Sequence, residues 1–160
     1  RSGRLVAATD SGAVIITGSG VASLPDPEGW LGAEVWVMHE DGDGTWWFGT
    51  PRGLVWQRSG GTGRYTVADG LPHDEVTALL RSRGGDLWIG TRRGLARLRD
   101  GRLTSHTEAD GFVGNQVRAL AEHGGAIWAG TYDGGLYRVA GDRITRFTTA
   151  QGLHDNGVFQ

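Results

Sequence analysis

One interval, 41 residues, runs through this chain and constrains what it can fold into. Gly29, Gly70, Gly111 and Gly152 are spaced by it, as are Gly12, Gly53, Gly94 and Gly135, and Val35, Val76, Val117 and Val158. Thr9, Thr50 and Thr91 follow the same interval, and Thr131 arrives one residue early. The reason is visible: "EHGGA" is one residue shorter than "RSRGGD", and "TYDGGL" is one longer than "TRRGL". Four copies in register imply a repeat architecture, in which each unit buries its apolar face against the next one.

Within a copy the period is two. Residues 76–107 read "VTALL", "DLWIGT", "GLARLR" and "RLTSHT", four short runs rich in aliphatic and aromatic residues, each bounded by glycine or Asp-Gly. No segment carries a helical stripe, so each unit predicts four antiparallel strands. Glycine makes up 29 of 160 residues without a collagen-like period, which fits frequent tight turns. Four strands in about 40 residues is the pattern of a β-propeller blade, so the expected class is all-β, with about four blades. Trp47, Trp88 and Trp128 share one position, where a large flat side chain can fill the wedge between blades. Val6 holds that position in the first unit, which predicts looser packing there. The glycine two residues after each tryptophan is expected to let the neighbouring backbone approach. The hydroxyls of Thr50, Thr91 and Thr131 are expected to bond the turns they begin.

The bulk numbers exclude several classes. A net charge of −2 gives no electrostatic reason to expect nucleic acid. Zero cysteines exclude disulfides, thiolate zinc sites and cysteine nucleophiles while leaving the compartment, the cytoplasm included, open. No apolar run approaches the roughly 20 residues that span a bilayer.

Residues 69–98, "DGLPHDEVTALLRSRGGDLWIGTRRGLARL", resemble the two-component regulator propeller repeat, G-L-P-x-N-x-V followed by G-x-L-W-x-G-T-x-x-G-L. Residues 110–139 match with Val113 for Pro and Asn115 kept; residues 29–56 match less well, with Ala33 at the Asn position; the first unit keeps Thr9 and Gly12. The resemblance implies a sensor propeller in the periplasmic or extracellular part of a hybrid histidine kinase or another membrane signalling protein. Whole propellers of that family usually have more than four blades. The units fall at roughly 1–29, 30–70, 71–111 and 112–152, with 153–160 opening another blade. That register favours a single domain that is a piece of a longer array, over a closed four-bladed ring or a ring completed by oligomerisation through open blade edges.

Loops linking blades ("DGLPHDE", 69–75; "DGFVGNQ", 110–116; "QGLHDNG", 151–157) and loops between second and third strands ("TDSG", "TPRG", "TRRG", "TYDGG") are expected on one rim, where a rigid scaffold displays variable residues. Asp74, Asn115 and Asn156 share a repeated position and read as caps of the turn into the inner strand. The candidates for ligand binding are the positions the repeat does not dictate: Arg52, Arg92, Arg93, Tyr132, Asp133, His73 and His154. The two histidines have Asp74 and Asp155 beside them, a pairing that suits a general base, and the repeat class also resembles the streptogramin lyase propellers. Three motif look-alikes fall away. No histidine pair has metal-ligand spacing. "EDGDGT" (40–45) has Arg52 where a calcium loop needs its twelfth-position glutamate. "GSGVAS" (18–23) lacks the last glycine and the helix of a dinucleotide loop.

The leading expectation is a non-catalytic module that senses a ligand or docks a partner, with no cofactor and no metal. Its partner would be a small molecule, a glycan or another domain of the same signalling protein. The alternatives are a propeller lyase or hydrolase using His73 or His154, and a purely architectural segment.

Overall fold

The computed structural model describes residues 5–26, 28–32, 34–113 and 116–159. The period-two runs form strands that pair with their sequence neighbours, giving four antiparallel meanders. Blade 1 is β1 (Leu5–Thr9), β2 (Gly12–Thr17) and β3 (Gly20–Ser23). Blade 2 is β4 (Val37–Glu40), β5 (Trp46–Thr50), β6 (Gly53–Arg58) and β7 (Gly61–Tyr65). Blade 3 is β8 (Val76–Arg81), β9 (Leu87–Thr91), β10 (Gly94–Arg99) and β11 (Arg102–His106). Blade 4 is β12 (Val117–His123), β13 (Ala126–Thr131), β14 (Leu136–Ala140) and β15 (Arg143–Phe147). By register, β1 corresponds to the second strand of the later blades, so blade 1 has three strands among the described residues.

Alternate side chains point to opposite faces of a sheet, and each face of an internal blade meets a different neighbour. Ile89, Ala96 and Leu98 of blade 3 face Trp47 and Leu54 of blade 2, while Ala78, Trp88 and Leu95 face Ile127, Tyr137 and Val139 of blade 4. Trp47 and Trp88 are buried in these seams, 9% and 5% exposed, as the wedge position predicts. In the first seam Val6 packs with Phe48 and Val55. A hollow of about 510 Å³ lined by Val6, Ile15 and Trp46 opens beside them.

The glycines after the tryptophans act as notches. A Cβ on Gly90 would lie 2.6 Å from Val117 Cγ1, and one on Gly49 would lie 2.7 Å from Val76 Cγ1. The repeated valine at the start of each inner strand therefore seats in the preceding blade's glycine, and Val158 seats in Gly130 in the same way. The threonines behave as expected. The hydroxyls of Thr50, Thr91 and Thr131, all fully buried, donate to the carbonyls of Gly53, Gly94 and Gly135 at 2.9 Å.

Two repeated devices escaped the sequence reading. Each tryptophan stacks on an aromatic ring of its own blade's outer strand: Trp47 on Tyr65, Trp88 on His106 and Trp128 on Phe147. Those partners are themselves 41 residues apart, a signal present in the sequence. The linkers after blades 2, 3 and 4 also begin with one turn of 3-10 helix (Val67–Asp69, Glu108–Asp110, Thr149–Gln151). There the side chain of Asp69, Asp110 or Gln151 accepts the N–H of Thr66, Thr107 or Thr148 at 2.8–2.9 Å. These donors hold the Asp110 carboxyl below its usual range.

Candidate functional site

The two loop sets meet on one rim and are tied together through backbone. The Arg92 N–H donates to Glu75 O, Gln116 N–H to Arg92 O, Tyr132 N–H to Gln116 O and Gly135 N–H to Asn156 O, all between 2.8 and 3.0 Å. The rim is thus a rigid rail, and what varies on it is the side chains.

Two hollows lie on this rail at the junction of blades 3 and 4. The larger, about 670 Å³, is lined by Pro72, Arg93, Thr107, Phe112, Asp133 and Arg146 among others. Its floor is apolar: Phe112 stacks on the buried Tyr137 ring at 4.2 Å. The Arg146 guanidinium lies 5.8 Å from that ring, and its Nε donates to Gly134 O at 2.6 Å. Burial pushes the Tyr137 hydroxyl pKa upward, so it stays protonated. The second hollow, about 420 Å³, is lined by Arg92, Arg93, Gln116 and Tyr132. Arg93 lines both, which makes one continuous surface with cationic, anionic and aromatic groups over an apolar floor.

Four of the seven rim candidates, Arg92, Arg93, Tyr132 and Asp133, therefore come together. Arg92 is committed to an ion pair with Glu75, Nη1 to Oε1 at 3.0 Å. Tyr132, 57% exposed, meets the Phe159 ring edge-on at 5.8 Å. Arg52 stands on the blade 2 hairpin and His154 on the linker that follows blade 4, and neither lines these hollows. His73 Nδ1 accepts the Glu75 N–H at 3.0 Å, which makes the ring part of the linker's own turn.

The carboxylates beside the histidines are taken by backbone donors. Asp74 accepts the Val67 N–H at 2.8 Å and Asp155 accepts the Gly157 N–H at 2.6 Å. The repeated position also does something different from the expected cap. Asp74 and Asn156 reach back seven residues, to the N–H groups of Val67 and Thr149, and so close the linker onto its 3-10 turn. Asn115 and Ala33, the matching positions in the other linkers, lie outside the described residues.

The opposite rim holds a hollow that the sequence reading did not anticipate, about 410 Å³ between blades 2 and 3, lined by Asp41, Asp43, Trp47, Trp56, Arg58 and Arg81 among others. Asp41 pairs with Arg81 of the next blade and accepts the Trp47 indole N–H at 2.7 Å, a polar staple across the seam. Asp43 accepts the Thr45 N–H, which holds its carboxyl pKa low and makes "EDGDGT" a hairpin turn. Among the described residues no cluster of His, Asp or Glu is arranged to hold a metal ion.

Four antiparallel meanders packed face to face, with variable loops on a backbone-tied rim, define a run of β-propeller blades. Residues 70–93 match the family model of the two component regulator propeller. None of the curated proteins compared matches the chain.

Solved structures share the fold. The extracellular domain of BT3049 from B. thetaiotaomicron, described as a hybrid two component system, is 21% identical with a TM-score of 0.78 over 95% of this chain and 22% of its own. The extracellular domain of BT4673 from the same organism, described as a one component system, is 23% identical with a TM-score of 0.72 over 89% and 20%. A catalytically inactive virginiamycin B lyase from Staphylococcus aureus, solved with quinupristin, is 18% identical with a TM-score of 0.61 over 89% and 50%. The chain thus spans about a fifth of the length of the first two.

Proposed function

We propose that this chain is a non-catalytic sensory segment, which binds a ligand or partner on the rim of blades 3 and 4 as part of a two-component-type signalling protein facing the cell exterior. The observation that carries the reading is the split between repeated and unrepeated residues. The tryptophan, glycine, threonine and valine positions that the 41-residue period dictates are spent on packing, while Arg93, Tyr132 and Asp133 stand at positions whose residues vary between copies and line the adjoining hollows. The family match at 70–93 supports the signalling context, and the two similar extracellular domains support the location. Against a lyase role, Asp74 and Asp155 each accept a backbone N–H, and among the described residues neither is bonded to the ring of the histidine beside it.

The test is a thermal-shift screen of the 160-residue chain with sugars, glycan fragments and other small polar metabolites. A ligand at 100 times its dissociation constant adds about 2.7 kcal/mol of stability, or a rise in Tm of roughly 5–10 °C for a domain of this size. If no compound raises Tm, the architectural reading stands instead.

A further inference from the structure

The hollow between blades 2 and 3, on the rim opposite the loops, has a floor that is settled and a mouth where blade 2 departs from the other copies. In blade 2 the wedge tryptophan stands across from Trp56, and Trp56 stands across from Gly63 on the outer strand. Blade 3 has Arg97 and Thr104 in those two places, and blade 4 has Arg138 and Thr145. Trp56 and Gly63 come together for a steric reason. A Cβ on Gly63 would lie 2.5 Å from Cε2, Cζ2 and Nε1 of the Trp56 ring. The indole therefore rests against the bare backbone of β7, half-buried, and lines the hollow as a platform.

The charges at the mouth depart in the same way. Arg99 of blade 3 is held by Asp86, which accepts from its Nη2 at 2.7 Å. Thr45 stands in blade 2 where Asp86 stands in blade 3, so the corresponding Arg58 loses that partner. Among the described residues Arg58 makes no ion pair, and its guanidinium lies over the Trp56 ring at 5.0 Å. Two carboxylates line the same hollow, Asp43 from blade 2 and Asp100 from blade 3. Asp100 is displayed by a two-residue turn, Asp100-Gly101, with both residues at positive φ. Neither carboxylate is in an ion pair among the described residues.

The deeper polar groups are already spent. Asp41 takes the Arg81 guanidinium and the Trp47 indole N–H, and Arg81 Nη1 donates to Gly85 O at 2.8 Å. What a ligand meets is thus an aromatic platform, one guanidinium and two carboxylates on a fixed base. A carboxylate ligand alone would face Asp43 and Asp100, and an amine alone would face Arg58. A molecule that carries both charges beside an apolar body answers all three.

We propose that this hollow binds a free α-amino acid with an aromatic or large aliphatic side chain. Its carboxylate pairs with Arg58, its ammonium with Asp43 and Asp100, and its side chain lies on Trp56. A volume of about 410 Å³ suits a ligand of that size. The hollow shares no lining residue with the rim of blades 3 and 4, so this site and the function proposed above can fail separately.

The test is isothermal titration of the 160-residue chain with L-phenylalanine and L-leucine, beside phenethylamine and 3-phenylpropionate, which each keep one of the two charges. Both amino acids should bind, and each single-charge analogue should bind about tenfold or more weakly than L-phenylalanine. Arg58→Gln and Asp100→Asn change exposed side chains, and Asn tolerates the left-handed turn. Each should weaken L-phenylalanine by about tenfold or more while leaving Tm without ligand in place. Arg93→Ala should leave that affinity unchanged. No binding of either amino acid at millimolar concentration, an analogue that binds as well as L-phenylalanine, or full affinity in both mouth variants overturns the proposal. A loss of affinity in Arg93→Ala alone also overturns it, because it moves the amino acid to the other rim.

Discussion

Replacing Gly90 by alanine tests the notch on which blade stacking depends. The added Cβ would stand 2.6 Å from Val117 Cγ1, 2.8 Å from Val117 Cβ and 3.0 Å from Ala78 Cβ. Carbon atoms rest at about 3.5–4.0 Å, so the seam must open by roughly 1 Å. Val117 and Ala78 are both buried, and neither offers a flexible tip that can swing away. Overpacking of this kind costs about 1–3 kcal/mol, or roughly 2–12 °C in Tm for a chain of this length. Val117→Ala alone removes two buried carbons and costs at least about 1.6 kcal/mol at ~0.8 per carbon. Val117→Ala removes the 2.6 Å contact with Cγ1 and leaves the 2.8 Å contact with Cβ, so the clash is relieved in part and the double variant should be more stable than the sum predicts by about 0.5 kcal/mol or more. Gly42→Ala is the control: its Cβ meets open space, and its change should stay within about 0.5 kcal/mol. Chemical denaturation of the four variants reads all of this. An unaffected Gly90→Ala, or a strictly additive double variant, would refute the notch.

Other expectations follow from the same packing. Thr91→Val removes a fully buried hydroxyl that bonds Gly94 O and should cost about 1–3 kcal/mol, whereas Thr9→Val breaks the same bond at a partly exposed site and should cost less, by equilibrium denaturation. His106 is stacked on Trp88, and its burial lowers its pKa below the ordinary histidine value of about 6.5. The unfolded chain therefore takes up that proton first, and the stability His106 contributes is lost as pH falls below about 6.5. His106→Phe, the residue type found at Phe147, should flatten the fall in Tm between neutral and mildly acidic pH; an unchanged slope would show that the histidine is not its source.

The fold was legible because packing problems repeat and repeats are visible. Gly90, Thr91 and Val117 could be assigned their places from the spacing alone, and the two-residue turn at Gly124 and Gly125, both at positive φ, explains the early Thr131. The stack of Trp88 on His106 was missed because the shared position mixes Tyr, His and Phe, so its period shows only when aromatic character is compared rather than identity. The 3-10 turns were missed because three residues are too few to show a periodicity. The candidate site was legible in part. Comparison between copies isolated Arg93, Tyr132 and Asp133, which do gather. It said nothing of Arg146, whose place in the hollow depends on how β15 crosses the seam, nor of the Asp41–Arg81 staple, which joins residues 40 apart. It also offered His73 and Asp74 as a pair, where the backbone competes for both side chains and wins.

The claim that the repeat builds the scaffold while rim residues that vary between copies carry recognition is tested most directly by ligand-induced thermal shift in wild type beside Arg93→Ala and Tyr132→Ala. The account predicts that both variants melt without ligand within about 0.5 kcal/mol of wild type, as exposed positions do, and that the shift given by any stabilising ligand other than an amino acid falls or vanishes in each. A full shift by such a ligand retained in both variants, or no such ligand that shifts wild type at all, would contradict it.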